Sequence, residues 1–427
     1  MNITATSQQI VSQVSSNKRH LAILLLGISS GLPASLTAST LQAWFTDAGI
    51  DLHAIGAVTL LVLPYSFRFL WSPLFDYLPL PGLGRRRGWL LLLQIGLILT
   101  LIWMAFITPQ QNFLSFLGPM PWLMLAGFIT AFLSASQDIV INAYQTEILP
   151  KEQQGLGASI YVTGWRTGAI LSGALALILA SKYGWQQTYL FMASLMSIGI
   201  VGTAIAHESP EFIPITMNLT EAVIAPFKEF IQRLGYKTAM LFFLLILTYK
   251  AGDALALALN TTFLMRHIGF DLETLGYVNK TVSLFAALFG GLTAGVLMTR
   301  LSLYRALMLF GFIQGAANLC YAGMAYWGKS LSLLIFSAFT ENFCSGMGSI
   351  ALIALIMTLC NKRYTATQFA LLSAIAFLAR TFVGPVAASL VDAVGWMPFF
   401  IWCFVLSMPT LLFVYLNKGV IEREAIN

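Results

Sequence analysis

Runs of about 20 apolar residues, the length that crosses the hydrocarbon core of a bilayer, recur twelve times along this chain. They lie near 20–45, 53–77, 89–108, 120–144, 155–180, 185–206, 238–265, 274–299, 305–326, 332–358, 366–392 and 396–417. Segments in lipid must satisfy their own backbone hydrogen bonds, so the expectation is an all-α membrane protein with twelve transmembrane helices. The composition agrees: 58% of residues are hydrophobic and only 9% are charged, which excludes an ordinary soluble domain. Met1 to Asn17 has no apolar stretch after a basic start, so it reads as a short tail rather than a cleaved signal peptide.

Basic residues set the orientation. With the N-terminus inside, the inner segments carry Lys18, Arg19, Arg85, Arg86, Arg87, Lys151, Lys228, Arg233, Lys237, Arg300, Arg305, Lys362, Arg363, Lys418 and Arg423, and the outer ones only Lys182, Arg266 and Lys329. Fifteen against three is a strong positive-inside bias and places both termini in the cytoplasm. The net charge of +6 is spread over short loops, so no nucleic-acid patch forms. Cys320, Cys344, Cys360 and Cys403 lie in or beside apolar runs without ligand spacing. They read as small packing residues, with neither disulfide nor metal implied.

The longest loop, His207 to Lys237, separates six spans from six, and Val223, Ile224, Phe227, Phe230, Ile231 and Leu234 recur in it at helical spacing beside Glu221, Lys228, Glu229 and Arg233. This predicts an amphipathic surface helix. The halves on either side are related. Gly49-Ile-Asp51 recurs as Gly269-Phe-Asp271 at an offset of 220, Arg166-Thr167 as Arg380-Thr381 at 214, and Gly184-Trp185 as Gly395-Trp396 at 211. A repeat of six spans, an even number, makes the halves parallel about an axis along the membrane normal. That is the major-facilitator plan, with solute bound near the midplane between halves. The expected organisation is a tail at 1–19, bundles at 20–206 and 238–417, a linker at 207–237 and a tail at 418–427.

Eight charges lie at membrane depth: Arg68, Asp138, Arg166, Lys250, Asp253, Lys280, Glu341 and Arg380. At about 2.5–3.5 kcal/mol each, unpaired and dry, they would cost about 20–28 kcal/mol, more than a typical folding stability of about 5–15 kcal/mol. Most must be paired or wet. Depth along the chain makes Asp138 level with Arg166 and Glu341 level with Arg380, and puts Lys250 and Asp253 on one helix face. Around Asp138, helical spacing puts Ser134, Asn142 and Gln145 on one polar face. That face marks a solute or proton pathway, or a carboxylate locked to one arginine for packing. Five positive against three negative charges suit an anionic solute, or serve structural balance. Asp138 and Glu341 are the leading proton-coupling candidates and Asp253 the third. Arg68, Arg166, Lys250, Lys280 and Arg380, with Gln42 and Asn142, are the candidate solute ligands.

Span one is polar, with Ser29, Ser30, Pro33, Ser35, Thr37, Ser39, Thr40 and Gln42. It fits a cavity wall or a kinked packing helix equally well. The pairs Gly27/Gly31, Gly164/Gly168, Gly291/Gly295 and Gly311/Gly315 read as packing faces. Asp76 with Arg85 and Arg86 suggests a cytoplasmic gate. No His–Asp pair or metal cluster sits at a membrane face, so an enzyme is not expected, and the loops leave no room for an appended sensor domain.

The chain resembles the AmpG family of anhydromuropeptide permeases, relatives of acetyl-CoA transporters within the major facilitators. The matching stretches include Ser30-Gly-Leu-Pro, Phe69-Leu-Trp-Ser-Pro-Leu-Phe-Asp76, Gly84-Arg-Arg-Arg-Gly-Trp89, Ser134-Ala-Ser-Gln-Asp-Ile-Val140, Tyr249-Lys-Ala-Gly-Asp-Ala254, Val278-Asn-Lys-Thr281 and Ala366-Thr-Gln-Phe-Ala-Leu-Leu-Ser-Ala374. The resemblance implies an inner-membrane carrier that brings GlcNAc–1,6-anhydro-MurNAc peptides into the cytosol for peptidoglycan recycling, driven by the proton gradient with no other cofactor. It implies a second acid four residues after Asp138 in some members, where this chain has Asn142. The implied partners are a glycopeptide, protons and the bilayer, and a monomer is expected. The alternative is a major facilitator for another anionic solute, such as acetyl-CoA or a glycoconjugate.

Overall fold

The computed structural model describes residues 18–77, 84–107, 119–149, 154–207, 219–361 and 365–424. These residues are almost entirely helical. The first part of the chain forms α1 (Lys18–Leu36), α2 (Ser39–Asp47), α3 (Leu52–Ala57), α4 (Leu63–Phe67), α5 (Ser72–Tyr77), α6 (Arg85–Phe106), α7 (Pro119–Ile148), α8 (Gln154–Ile170), α9 (Ala176–Leu195) and α10 (Ser197–Ile205). After α11 (Leu219–Leu234) come α12 (Tyr236–Thr248), α13 (Ala251–Ala258), α14 (Thr281–Met298), α15 (Leu303–Trp327), α16 (Leu331–Leu359), α17 (Thr365–Val394), α18 (Trp396–Leu416) and α19 (Lys418–Glu424).

Among the described residues, ten helical stretches are long and apolar enough to cross a membrane. One of them, Gly157–Ile205, is 49 residues long and is kinked at Gly184. At 1.5 Å per residue it measures about 70 Å, more than twice the hydrocarbon thickness of about 30 Å. It covers two of the expected spans. The expected second span is instead a series of short pieces, of which Leu52–Phe67 is apolar but shorter than a full crossing.

The chain divides into two compact units. The first takes the described residues of Met1–Ile50 and Leu61–Pro214, the second those of Asp51–Leu60 and Ile215–Asn427. Helix α3 therefore groups with the second unit. In the first unit α1 lies against α8, and their glycines let the backbones meet. A Cβ on Gly31 would strike the Trp165 carbonyl, and one on Gly168 the Ile28 carbonyl. In the second unit the tight seam between α14 and α16 uses Gly290 against Phe343 and Gly346 against Ala287. The expected pair Gly291/Gly295 is not that seam: Gly291 has ordinary clearance and Gly295 faces open space. The pattern was one residue out of register, because a G-x-x-x-G spacing does not say which face meets a neighbour.

The sequence repeat has a backbone cause. Gly49 and Gly269 have φ of 75° and 85°, and Gly184 and Gly395 have 81° and 79°, a region closed to most side chains. Two residues after the first pair, Asp51 accepts from the His53 amide (2.9 Å) and Asp271 from the Thr274 amide (3.0 Å), capping the helices that follow. Two of the three repeated landmarks turn the chain and restart a helix, while Arg166-Thr167 and Arg380-Thr381 lie inside α8 and α17. Span one breaks after Pro33, and hydroxyls support the break: Tyr189 Oη donates to the Leu36 carbonyl (3.0 Å), Thr37 Oγ1 joins the Thr37 amide on the Pro33 carbonyl (2.9 Å), and Thr40 Oγ1 reaches across to the Ser172 carbonyl (2.7 Å).

Candidate functional site

In the first unit Asp138 sits on α7 and is 7% exposed. Its Oδ1 accepts from Ser30 Oγ at 2.5 Å, and Ser30 Oγ lies 2.9 Å from Tyr161 Oη. This works because α8 packs on α1, which brings Tyr161 over the polar face of span one. Gln137, next to Asp138, accepts from Ser29 Oγ (3.3 Å), and Trp71 Nε1 donates to Ser136 Oγ (3.0 Å). The buried Tyr65 phenol adds a further hydroxyl near the carboxylate, and the charge of the exposed Arg68 acts on it. Arg166 is not its partner. It lies on an exposed face of α8 together with Val162, Thr163 and Thr167, about 180° around the helix from Gly164 and Gly168, the residues that meet α1. Asn142 is exposed on α7 and Gln42 is buried in α2.

In the second unit the helix interrupts at Tyr249 and Lys250, between α12 and α13. Gln314 Nε2 donates to the carbonyl of Tyr249 at 3.3 Å, supporting the break. Lys250, 6% exposed, turns inward and donates to the Ser345 carbonyl (2.7 Å), Ser345 Oγ (3.0 Å) and Asp253 Oδ2 (3.3 Å). Ser345 Oγ in turn donates to Asp253 Oδ2 (2.8 Å). Asp253 occupies the first turn of α13, where a helix favours negative charge. Glu341, one turn before Ser345 on α16, is fully buried. No amide, ammonium or hydroxyl reaches its oxygens among the described residues. Its carboxyl neighbours that of Asp253, which Ser345 holds, and the charges of the two act on each other. The expected pairing of Glu341 with Arg380 is not formed, and the larger charge effect on Glu341 comes from Asp253. Arg380 is exposed on α17 and acts on the cluster through its charge.

Lys250 and Arg380 also line a cleft of about 170 Å³ between α16 and α17. Lys280 ends a π-helical segment, Leu275–Lys280, beside the buried Asn279, and bonds to no described side chain. Away from these groups, Arg85 Nη2 (2.7 Å) and Arg86 Nη2 (2.5 Å) both donate to Glu147 Oε1 at the end of α7. The side chain of Asp76, proposed above as their partner, lies outside the described residues, as do those of Val223 and Ile224. The sequence reading named Ser30 only as one hydroxyl of the polar first span, and missed Tyr161, Ser345 and Glu147. Only Ser345 left a signal, four residues after Glu341 on one helix face.

Long apolar helices in two units, with buried charges clustered on them, define a polytopic membrane transporter of the major facilitator class. The family model for the Major Facilitator Superfamily matches residues 23–251, and the chain belongs to that superfamily. Its fold matches the solved nucleoside transporter NupG with a TM-score of 0.71 at 14% identity, covering 93% of this chain and 98% of that one. Among curated proteins, the anhydromuropeptide permease of Escherichia coli K12 is 45% identical over 410 residues, covering 96% of this chain and 82% of the relative. A putative transporter of Rickettsia felis, AmpG 4, is 31% identical and covers 96% of this chain and 99% of its own. The chain belongs to the AmpG family of anhydromuropeptide permeases.

Proposed function

We propose that this chain is a proton-coupled symporter that imports GlcNAc–1,6-anhydro-MurNAc peptides across the bacterial inner membrane for peptidoglycan recycling. It works by alternating access, catalyses no covalent step, functions as a monomer and keeps both termini in the cytoplasm. The solute class follows from the kinship with the Escherichia coli permease. One observation supports the coupling: Asp253 and Glu341 are neighbours in a buried site with Lys250 bonded to one of them. Two carboxylates in a dry site repel strongly, so the pair holds a proton between them, and its count of protons depends on what Lys250 is doing. Asp138 is the second proton-exchanging acid, released when Ser30 changes its partner and the solute draws away the charge of Arg68. Arg68, Arg166, Lys280 and Arg380 draw in and orient an anionic solute.

Uptake of labelled anhydromuropeptide into proteoliposomes tests this reading. Accumulation above the outside concentration is expected only when the uptake side is made acidic. Equal accumulation with and without the gradient removes the proton coupling. Competition by acetyl-CoA but not by unlabelled anhydromuropeptide replaces the solute.

A further inference from the structure

The cleft between α16 and α17 has one charged end and an apolar body. Leu352, Ile353 and Ile356 lie on one side of α16, spaced three and four residues apart. Ala376 and Phe377 face them from α17, and Arg380 follows one turn later on the same side. At about 170 Å³ it holds many waters' worth of space, since about 10–15 Å³ on this measure suffices for one. Whole-ligand sites, however, run to about 300–1,000 Å³. The cleft therefore fits one limb of a disaccharide peptide, and its composition selects a limb carrying a carboxylate beside a short apolar group.

Lys250 belongs to two sites at once. It lines this cleft, and it is also the ammonium bonded to Asp253 and Ser345. Resting on the transport reading above, we infer that the cleft is the subsite for the peptide carboxylate of the solute, and that the bound carboxylate competes with Asp253 for Lys250. Before binding, the ammonium balances an acid pair that holds one proton. A solute carboxylate takes up the ammonium together with Arg380, and the pair then accepts a second proton from solution. Lys250 stays protonated throughout, so one proton enters with each carboxylate. Solute and proton binding thus favour each other, the sign a symporter requires.

The other groups around the pair are few. Arg380 reaches it from α17, Cys320 and Tyr321 from α15, Cys344 from α16 and Cys403 from α18. Lys280 lies on the π-helical segment packed against α16. None of them is a carboxylate, so Asp253 and Glu341 are the groups that take the proton.

The test is binding to the purified full-length protein of GlcNAc–1,6-anhydro-MurNAc-alanine, with its single C-terminal carboxylate either free or amidated. Wild type is expected to bind the free acid more tightly, with affinity rising about tenfold per pH unit of acidification as one proton is taken up. The amide should bind weakly with a flat pH profile. Arg380→Gln should bring the acid down to the level of the amide, and the double variant Asp253→Asn/Glu341→Gln should keep the preference for the acid but flatten its pH profile. Equal wild-type affinity for acid and amide, or full preference retained in Arg380→Gln, overturns the subsite. A flat wild-type profile for the acid, or an unchanged slope in the double variant Asp253→Asn/Glu341→Gln, overturns the sharing of Lys250. The wild-type comparison decides even where a variant does not fold. The transport reading fails separately, if proteoliposomes take up no anhydromuropeptide at all.

Discussion

In the first unit a lone carboxylate, Asp138, is held by the hydroxyl of Ser30, and the exposed Arg68 acts on it through its charge without a bond. In the second unit two carboxylates, Asp253 and Glu341, are both buried and act on each other through their charges, and a buried Lys250 is bonded to Asp253. The two halves share a repeat, yet their charged centres are built from different chemistry. The repeat keeps the turns that restart helices, namely the glycines with positive φ and the capping aspartates, and an arginine on the fifth span of each half, Arg166 and Arg380, while the buried carboxylates differ. A hydroxyl-held acid can change protonation without stranding another charge. An acid bonded to a buried ammonium cannot.

The largest expected effect follows from that contrast. Asp253→Asn leaves Lys250 buried without its carboxylate, and breaking a buried pair in this way costs about 3–5 kcal/mol. Asp138→Asn keeps an acceptor for Ser30 and leaves only the exposed Arg68 without its distant counter-charge. It should cost about 1 kcal/mol, the scale of one hydrogen bond. Denaturant or thermal unfolding of both variants in the same detergent measures the difference, and equal losses would break the comparison. On transport the two acids should converge. Glu341→Gln preserves the shape of the pair and Asp138→Asn that of the hydroxyl contact, and each should reduce uphill accumulation to the outside concentration while downhill exchange continues. Full accumulation in either variant removes that acid from the proton path.

The helical spans and the repeat were legible because apolar length and positive-φ glycine are local properties of sequence. The pair Lys250–Asp253 was legible for the same reason, being three residues apart on one helix. The partner of Asp138 was not. Depth along the chain placed Arg166 level with it, but depth says nothing of azimuth. Tyr161, Gly164 and Gly168 turn α8 toward α1, and Arg166 falls on its far side. The same gap in information hid Glu147, which reaches Arg85 and Arg86 from the end of a helix some sixty residues later in the chain. It also hid that Glu341 neighbours Asp253 and forms no pair with Arg380. Which helices are neighbours is a long-range fact, and a single sequence records it only where a spacing such as Glu341 to Ser345 survives.

The seams between helices sharpen the comparison from the other side, since here the units agree. Gly31→Val in the first unit and Gly290→Val in the second both drive a side chain into a neighbouring backbone, and each should cost about 1–3 kcal/mol by overpacking. Gly295→Ala faces open space and should be neutral, or stabilising by up to about 1 kcal/mol through helix propensity. Unfolding midpoints of the three variants separate the outcomes. A loss at Gly295 as large as at Gly290 would return the packing face to the register first read from the sequence.

The smallest effect is expected at α11, where it is fastened to the rest of the second unit. Glu229 accepts from Gln368 Nε2 (2.5 Å), Asn361 Nδ2 (2.7 Å) and Arg233 Nε (3.1 Å), and Arg233 Nη1 donates to Glu424 (2.6 Å). Partial burial pushes the Glu229 carboxyl up, but the bonds from Asn361 and Gln368 and the Arg233 charge outweigh it and hold the group below the ordinary value of 4.5. A carboxyl more acidic in the folded chain than in the unfolded one contributes stability that is complete above the ordinary value and fades as pH falls below it. Hydrogen exchange of the α11 amides should therefore be independent of pH from neutrality down to that value, after correction for intrinsic rates, and should lose protection at more acidic pH. Glu229→Gln, which keeps one acceptor but no charge, should show slightly weaker protection at neutral pH and no further loss on acidification. Protection in wild type that is unchanged on either side of 4.5 would mean that the apolar contacts of Phe230 and Phe243, rather than the carboxylate, fasten this helix.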